Sequence, residues 1–168
     1  MMFSTAVLLI FPVLMVFAAS SDLLTMRISN LLVLMLVAGF FIVALITQMP
    51  VDQILTNLGC AAVVLIVAFA FFAFGWIGGG DAKLAAATTL WLSLGLILPY
   101  IVYSGLLGGA LTLIILAFRN LPLPAALRRI KWLDRLHDKK EGVPYGIALA
   151  IAALLVYPQT TIFQYFLA

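Results

Sequence analysis

Carboxylate chemistry has the clearest address in this sequence. Gly78-Gly79-Gly80-Asp81-Ala82-Lys83 follows the apolar run Ile54–Phe74 and precedes another apolar stretch. An ionised carboxylate is costly to hold at the edge of hydrocarbon, so its presence there points to function. Three consecutive glycines strip the side chains from the approach to it, which allows another backbone to come close. Asp22 closes the first apolar run in the same manner, in a chain with only six acidic residues. Two carboxyl groups a few Å apart do not ionise together easily. One is then available to take a proton from water and the other to polarise a peptide carbonyl, with no metal and no nucleophilic side chain required. Asp22 and Asp81 are the candidate catalytic pair.

The elements that must position such a pair are membrane helices. Hydrophobic residues make up 66% of the 168 residues and charged residues 9%, which excludes an ordinary soluble domain. The expected fold is one all-α transmembrane domain spanning residues 1–168. Apolar runs occur at Phe3–Ser20, Leu31–Gln48, Ile54–Phe74 and Leu84–Phe118, with a last run from Pro144. About 20 residues cross the hydrocarbon core. Leu84–Phe118 is too long for one crossing, and Pro99 near its middle predicts two short helices turning there. Six spans result. Phe3–Ser20 ends Ala18-Ala19-Ser20, a faint likeness to a signal-peptide cleavage site, but no Lys or Arg precedes it and it reads as a retained span.

Charge placement orients the spans. With the N-terminus extracytoplasmic, all nine basic residues fall on one side: Arg27, Lys83, Arg119, Arg128, Arg129, Lys131, Arg135, Lys139 and Lys140. The positive-inside rule makes that side cytoplasmic. Asp22 and Asp81 then share the cytoplasmic layer of a multi-pass protein, whereas Asp52 lies on the opposite face. The single histidine, His137, sits among Arg135, Asp138 and Lys139 and reads as a solvated loop residue. Asp134, Asp138 and Glu141 read as local partners of the basic residues. No metal, cofactor or nucleic acid is called for by these residues. Cys60, the single cysteine, reads as a small core residue.

Other features have structural readings. Leu127, Ile130, Leu133 and Leu136 recur at spacing three among basic residues, which suits an amphipathic helix at the cytoplasmic lipid interface and equally a basic topology-setting loop. Gly105 and Gly109 form G-x-x-x-G, with Ser104 and Gly108 alongside, and predict close helix packing within the bundle; a homo-oligomer is compatible with the same pattern. Pro144 opens the last helix, a normal place for proline. Ser20-Ser21 before Asp22 and Thr25 after it are ordinary turn composition. Lys83, two positions after Asp81, does not share its helix face and reads as a topology anchor.

At these residues the chain resembles the type IV prepilin peptidases, membrane aspartyl proteases with a G-x-G-D motif. Gly78-Gly79-Gly80-Asp81 matches that motif, and Ala82-Lys83-Leu84 matches the tail that follows it. Asp22 with Arg27, Ile28 and Asn30 resembles the first aspartate segment, and Pro144-Tyr145-Gly146-Ile147-Ala148 a pattern near the last span. Ser29 stands where many members carry Pro, which removes a rigid residue from that loop. Nothing between Asp22 and Asn30 corresponds to the cysteine-bearing segment of the bifunctional, methylating members, so the resemblance is to the short peptidase-only branch of Flp-type (tight adherence) pili. It implies an enzyme of the bacterial inner membrane that cleaves a short basic leader from a prepilin or pseudopilin just before its hydrophobic helix.

Two other readings use the same acids. Presenilin-like proteases share G-x-G-D but are longer and place their first aspartate after Tyr, where Ser21 stands here. A small proton- or ion-coupled transporter or channel predicts acids near the midplane and inverted repeats. The topology is open to direct measurement. Reporter fusions at Asp52 and after Pro158 are expected outside the cytoplasm and a fusion near Lys131 inside; an external Lys131 would separate the acids from a cytoplasmic substrate.

Overall fold

The structure, a computed structural model, describes residues 2–167, and only the backbone of residues 2–5 and 125. It is all-α, with no strand among the described residues. The helices are α1 (Met2–Thr25), α2 (Asn30–Ile46), α3 (Val51–Ala73), α4 (Gly79–Thr89), α5 (Leu94–Arg119), α6 (Ala125–Arg128), α7 (Lys131–His137), α8 (Tyr145–Val156) and α9 (Thr161–Leu167). Three helices are long and apolar enough to cross a membrane: α1 from Ala6, α3 and α5. The α8–α9 pair makes a fourth if its 50° bend is one broken span. At 17 and 11 residues, α2 and α4 are shorter. Large apolar side chains cover the outer surface, among them Leu45, Phe74 and Leu98, as expected of a membrane-embedded protein.

The expected turn at Pro99 is displaced. The break in Leu84–Phe118 falls between Thr89 and Leu94, and Pro99 lies inside α5. Proline is least disruptive near a helix start, where few backbone bonds are lost. The break is instead built by Leu90, Trp91 and Leu92, all buried. Asn57 of α3 donates to the Leu90 carbonyl at 3.0 Å, and Trp91 Nε1 donates to the Leu36 carbonyl at 3.1 Å. The first bond satisfies a helix-end carbonyl that hydrocarbon cannot, and the second gives the buried indole N–H a partner on α2.

Of the helices longer than ten residues, the two shortest, α4 and α8, are the most enclosed. The buried residues of α8 are Gly146, Ala148, Ala150, Ala152, Ala153 and Val156, small enough for α1 and α5 to pack closely on either side. Phe11 stacks on Tyr157 with ring centroids 4.6 Å apart and meets Trp91 at 5.1 Å. The reading of the α5 G-x-x-x-G as packing within the bundle is overturned: a β-carbon at Gly105 or Gly109 would meet nothing within 4 Å. Gly108 makes the close contact, because a β-carbon there would stand 2.5 Å from the ring of Tyr145.

The basic segment after α5 is not one amphipathic helix. Ile130 is extended (φ −87°, ψ 102°) and separates α6 from α7. Arg119, Arg128 and Arg135 donate to backbone carbonyls, and Lys139 donates to Asn120 Oδ1 at 3.3 Å. Arg119, buried, donates to the carbonyls of Leu136 (2.8 Å) and Gly142 (2.7 Å). His137 is not simply solvated: its Nε2 pairs with the Leu121 carbonyl at 2.8 Å and its ring meets Phe118 edge-on. Cys60 is only partly buried and lines a cleft beside α5.

Helix packing gives a direct test. Gly108→Val is expected to lower stability by about 1–3 kcal/mol, the usual cost of overpacking, seen as an earlier thermal transition in detergent. Gly109→Val should fall within about 0.5 kcal/mol of the parent, as for a site away from packed features.

Candidate active site

Asp22 ends the buried face of α1. Val7, Phe11, Met15, Ala18 and Asp22 recur at intervals of four and three and are all buried, so the carboxylate continues a packed stripe. Its Oδ2 accepts a hydrogen bond from the Gly146 N–H at 2.7 Å. That N–H belongs to the first turn of α8, where backbone donors have no partner within the helix and the helix dipole favours negative charge. Only glycine fits: a β-carbon at 146 would lie 2.8 Å from Asp22 Oδ2 and 2.9 Å from Ile28 Cδ1.

Asp81 is the third residue of α4, and its side chain folds back over Gly78, the residue that caps the helix. A β-carbon at Gly78 would stand 2.8 Å from Asp81 Oδ2. At Gly79 it would meet the Phe72 ring at 3.3 Å, and at Gly80 the Cβ of Ile28 at 3.2 Å. None of the three needs a left-handed backbone; among glycines that conformation occurs at Gly75 (φ 74°). There it completes a Schellman turn, with Gly75 N bonded to the Phe72 carbonyl and Trp76 N to the Phe71 carbonyl, both at 2.9 Å. The triglycine is thus explained by the close approach of the protein's own acid, ring and loop.

Ile28 joins the two halves of the site, since it touches both Gly80 and Gly146. It sits in a four-residue connection between α1 and α2. Met26 there adopts φ 54°, uncommon for a residue with a β-carbon. Ser21 Oγ donates to the Arg27 carbonyl at 3.0 Å. Ser29, in place of proline, accepts the Leu32 N–H at 3.2 Å as the N-cap of α2, so the loop is held by a cap instead of a ring. Around Ile28 the two acids come close enough for the charge of Asp22 to act on Asp81.

The remaining predicted residues surround this point. Lys83 Nζ donates to Asn30 Oδ1 at 3.0 Å on the exposed side and ties α4 to the start of α2. Pro144 caps α8. The Tyr145 ring lies over Gly108, and its hydroxyl hydrogen-bonds that of Thr112 at 3.1 Å. Asp52 starts α3, and that helix runs 23 residues before the turn leading to Asp81. At about 1.5 Å per residue this puts Asp52 at the other end of the bundle. Sequence reading did not single out Ile28, Phe72 or Gly108 as neighbours of the site. Ile28 is part of the first aspartate segment and Gly108 stands beside Gly109, which was the available signal; Phe72 was one apolar residue among many.

A profile of the type IV leader peptidase family matches residues 9–113, which include both acids and the triglycine. The chain belongs to the type IV leader peptidase family. No curated protein and no solved structure matches it. It is therefore a membrane-embedded peptidase. Pro144, Tyr145 and Gly146 lie beyond the matched span of the leader peptidase profile, and their place in the site comes from the contacts above.

Those contacts predict how this leader peptidase responds to a single methyl group. Gly146→Ala would push Asp22 and Ile28 from their positions, and a displacement near 1 Å at reacting groups costs on the order of 10²-fold in rate. The expected result is a loss of that size in kcat/KM, with the folded protein still accumulating in the membrane. Gly59→Ala, which meets open space, should leave kcat/KM within about twofold.

Proposed function

We propose that this leader peptidase is an aspartic endopeptidase that removes the short basic leader of an Flp-like prepilin at the cytoplasmic face of the bacterial inner membrane. The carrying observation is that Asp22, in the last turn of α1, and Asp81, in the first turn of α4, are distant in sequence yet converge around Ile28, which lies against both Gly80 and Gly146. In the proposed reaction, water sits between the carboxyl groups. The ionised member takes a proton from water as its oxygen attacks the scissile carbonyl carbon. The protonated member gives its proton to the carbonyl oxygen. As the tetrahedral intermediate collapses, the C–N bond breaks, the amine leaves with a proton from the acid that had accepted one, and a hydroxyl of the intermediate returns its proton to the acid that had donated one. The products are a carboxyl-terminated leader and a pilin with a free amino terminus.

Three features support the rest of the reading. The four-residue α1–α2 connection leaves no room there for the cysteine-bearing segment of methylating members. All nine basic residues fit one side if α2 and α4 also cross the bilayer, with the N-terminus outside. That side is then the one at which the acids lie, where the leader of a membrane-anchored substrate would be presented.

The test is cleavage of a purified prepilin by the protein in detergent or proteoliposomes, read by mass spectrometry of the products. Asp22→Asn and Asp81→Asn should each lower turnover by about 10³-fold or more while thermal unfolding stays cooperative. The double variant should lose little beyond either single one, because the two groups act as a unit. Asp52→Asn should cleave normally. Full turnover by either aspartate variant would refute the mechanism.

A further inference from the structure

A cleft of about 450 Å³ opens between α3, α4, α5 and α8, with Asp81 and Tyr145 among its lining residues. Its other walls are apolar, chiefly Val64, Val67, Phe71 and Ile101. It shares Val63, Val64, Ile97 and Ile101 with a second cleft of about 600 Å³, which continues along α5 to Leu94. Two hydroxyls interrupt this apolar lining. Tyr100 is 1% exposed, and among the described residues neither its hydroxyl nor Ser104 Oγ has a hydrogen-bond partner. The two residues are four apart on α5, so they share one helix face. Thr88, whose hydroxyl already donates to Met15 Sδ at 3.9 Å, lies two turns beyond Asp81 on α4, or about 10 Å further along that helix.

Buried hydroxyls are rarely left unpaired, because their loss of water goes uncompensated. Phe and Ala would line an apolar trough without that penalty. We infer that Tyr100 and Ser104 are specificity-determining residues that hydrogen-bond one polar side chain within the otherwise apolar membrane segment of the substrate. This rests on the proposed reading, in which the scissile bond lies at Asp81 and the apolar segment follows it into the adjoining cleft. The pair lines the same cleft as Asp81, on the α5 wall. It sets the register in which the segment enters.

The probe is a set of synthetic peptides with a Lys-rich leader and a Leu/Ala helix. The parent carries no polar residue in the helix, and each relative carries one Gln at a successive position. The wild type should prefer Gln at one position, or two adjacent ones, by about tenfold in kcat/KM over the parent peptide, the scale of one well-placed hydrogen bond. In Tyr100→Phe/Ser104→Ala that ratio should fall to about one. The single variants, Tyr100→Phe being nearly isosteric, should each lower the ratio and keep the question answerable if the double variant fails to accumulate. A merely structural role would change all peptides together and leave the ratio intact, which would overturn the inference. So would a flat Gln profile in the wild type, with the leader peptidase reading still standing. Failure of the wild type to cleave any peptide at the leader junction would overturn both.

Discussion

One hydrogen bond organises the site: Asp22 Oδ2 accepts the Gly146 N–H at 2.7 Å across 124 residues. It is buried, and it couples the end of α1 to the start of α8. Hydrogen bonds to a charged group contribute about 1.5–3 kcal/mol, and leaving such a group unpaired costs more than forming the bond gains. The contact therefore constrains its neighbours. Residue 146 must lack a β-carbon, the 26–29 loop must bring Ile28 into the gap, and Tyr145 must turn away onto Gly108. Each of these is a close approach that one added methyl would block.

The same logic explains where the small residues lie. In a bundle surrounded by lipid, apolar side chains gain little by leaving the surface, so close packing decides which helices meet. Alanine dominates the buried positions of α8, and glycines stand where Phe72, Ile28 and Tyr145 press against a backbone. Glycines facing open space, such as Gly59, Gly105 and Gly109, carry no such role. A glycine motif is therefore informative only when a neighbour is known.

This is also why parts of the fold were legible and others were not. The helical class and the two acids stand out in the sequence because charges are rare and apolar runs are long. Asp22 as the end of a buried stripe was hidden: Val7, Phe11, Met15 and Ala18 repeat at helical spacing, but the lipid-facing residues of α1 are apolar as well, so periodicity carries no contrast. Pro99 misled for a related reason. It is the conspicuous helix breaker in Leu84–Phe118, yet the actual break is held by Asn57 of α3, which reaches the Leu90 carbonyl, and by Trp91, whose indole N–H reaches the Leu36 carbonyl of α2. Gly105 and Gly109 satisfied a packing pattern, while the packed residue was Gly108, because the pattern does not say which face of α5 meets α8.

The early end of α4 has a consequence for the cleft. An uninterrupted helix from Gly79 onward would carry α5 along the axis of α4. Instead the chain stops after Thr89, is held by Asn57 and Trp91, and restarts at Leu94. Non-helical backbone is tolerated there because protein surrounds it, with Leu90, Trp91 and Leu92 all buried. The restarted α5 then runs beside α3 with an apolar trough between them that reaches from Leu94 to Asp81. The break that sequence reading assigned to proline thus separates two jobs: a short, enclosed α4 that presents Asp81 at its start, and a long α5 that lines the trough with Tyr100 and Ser104.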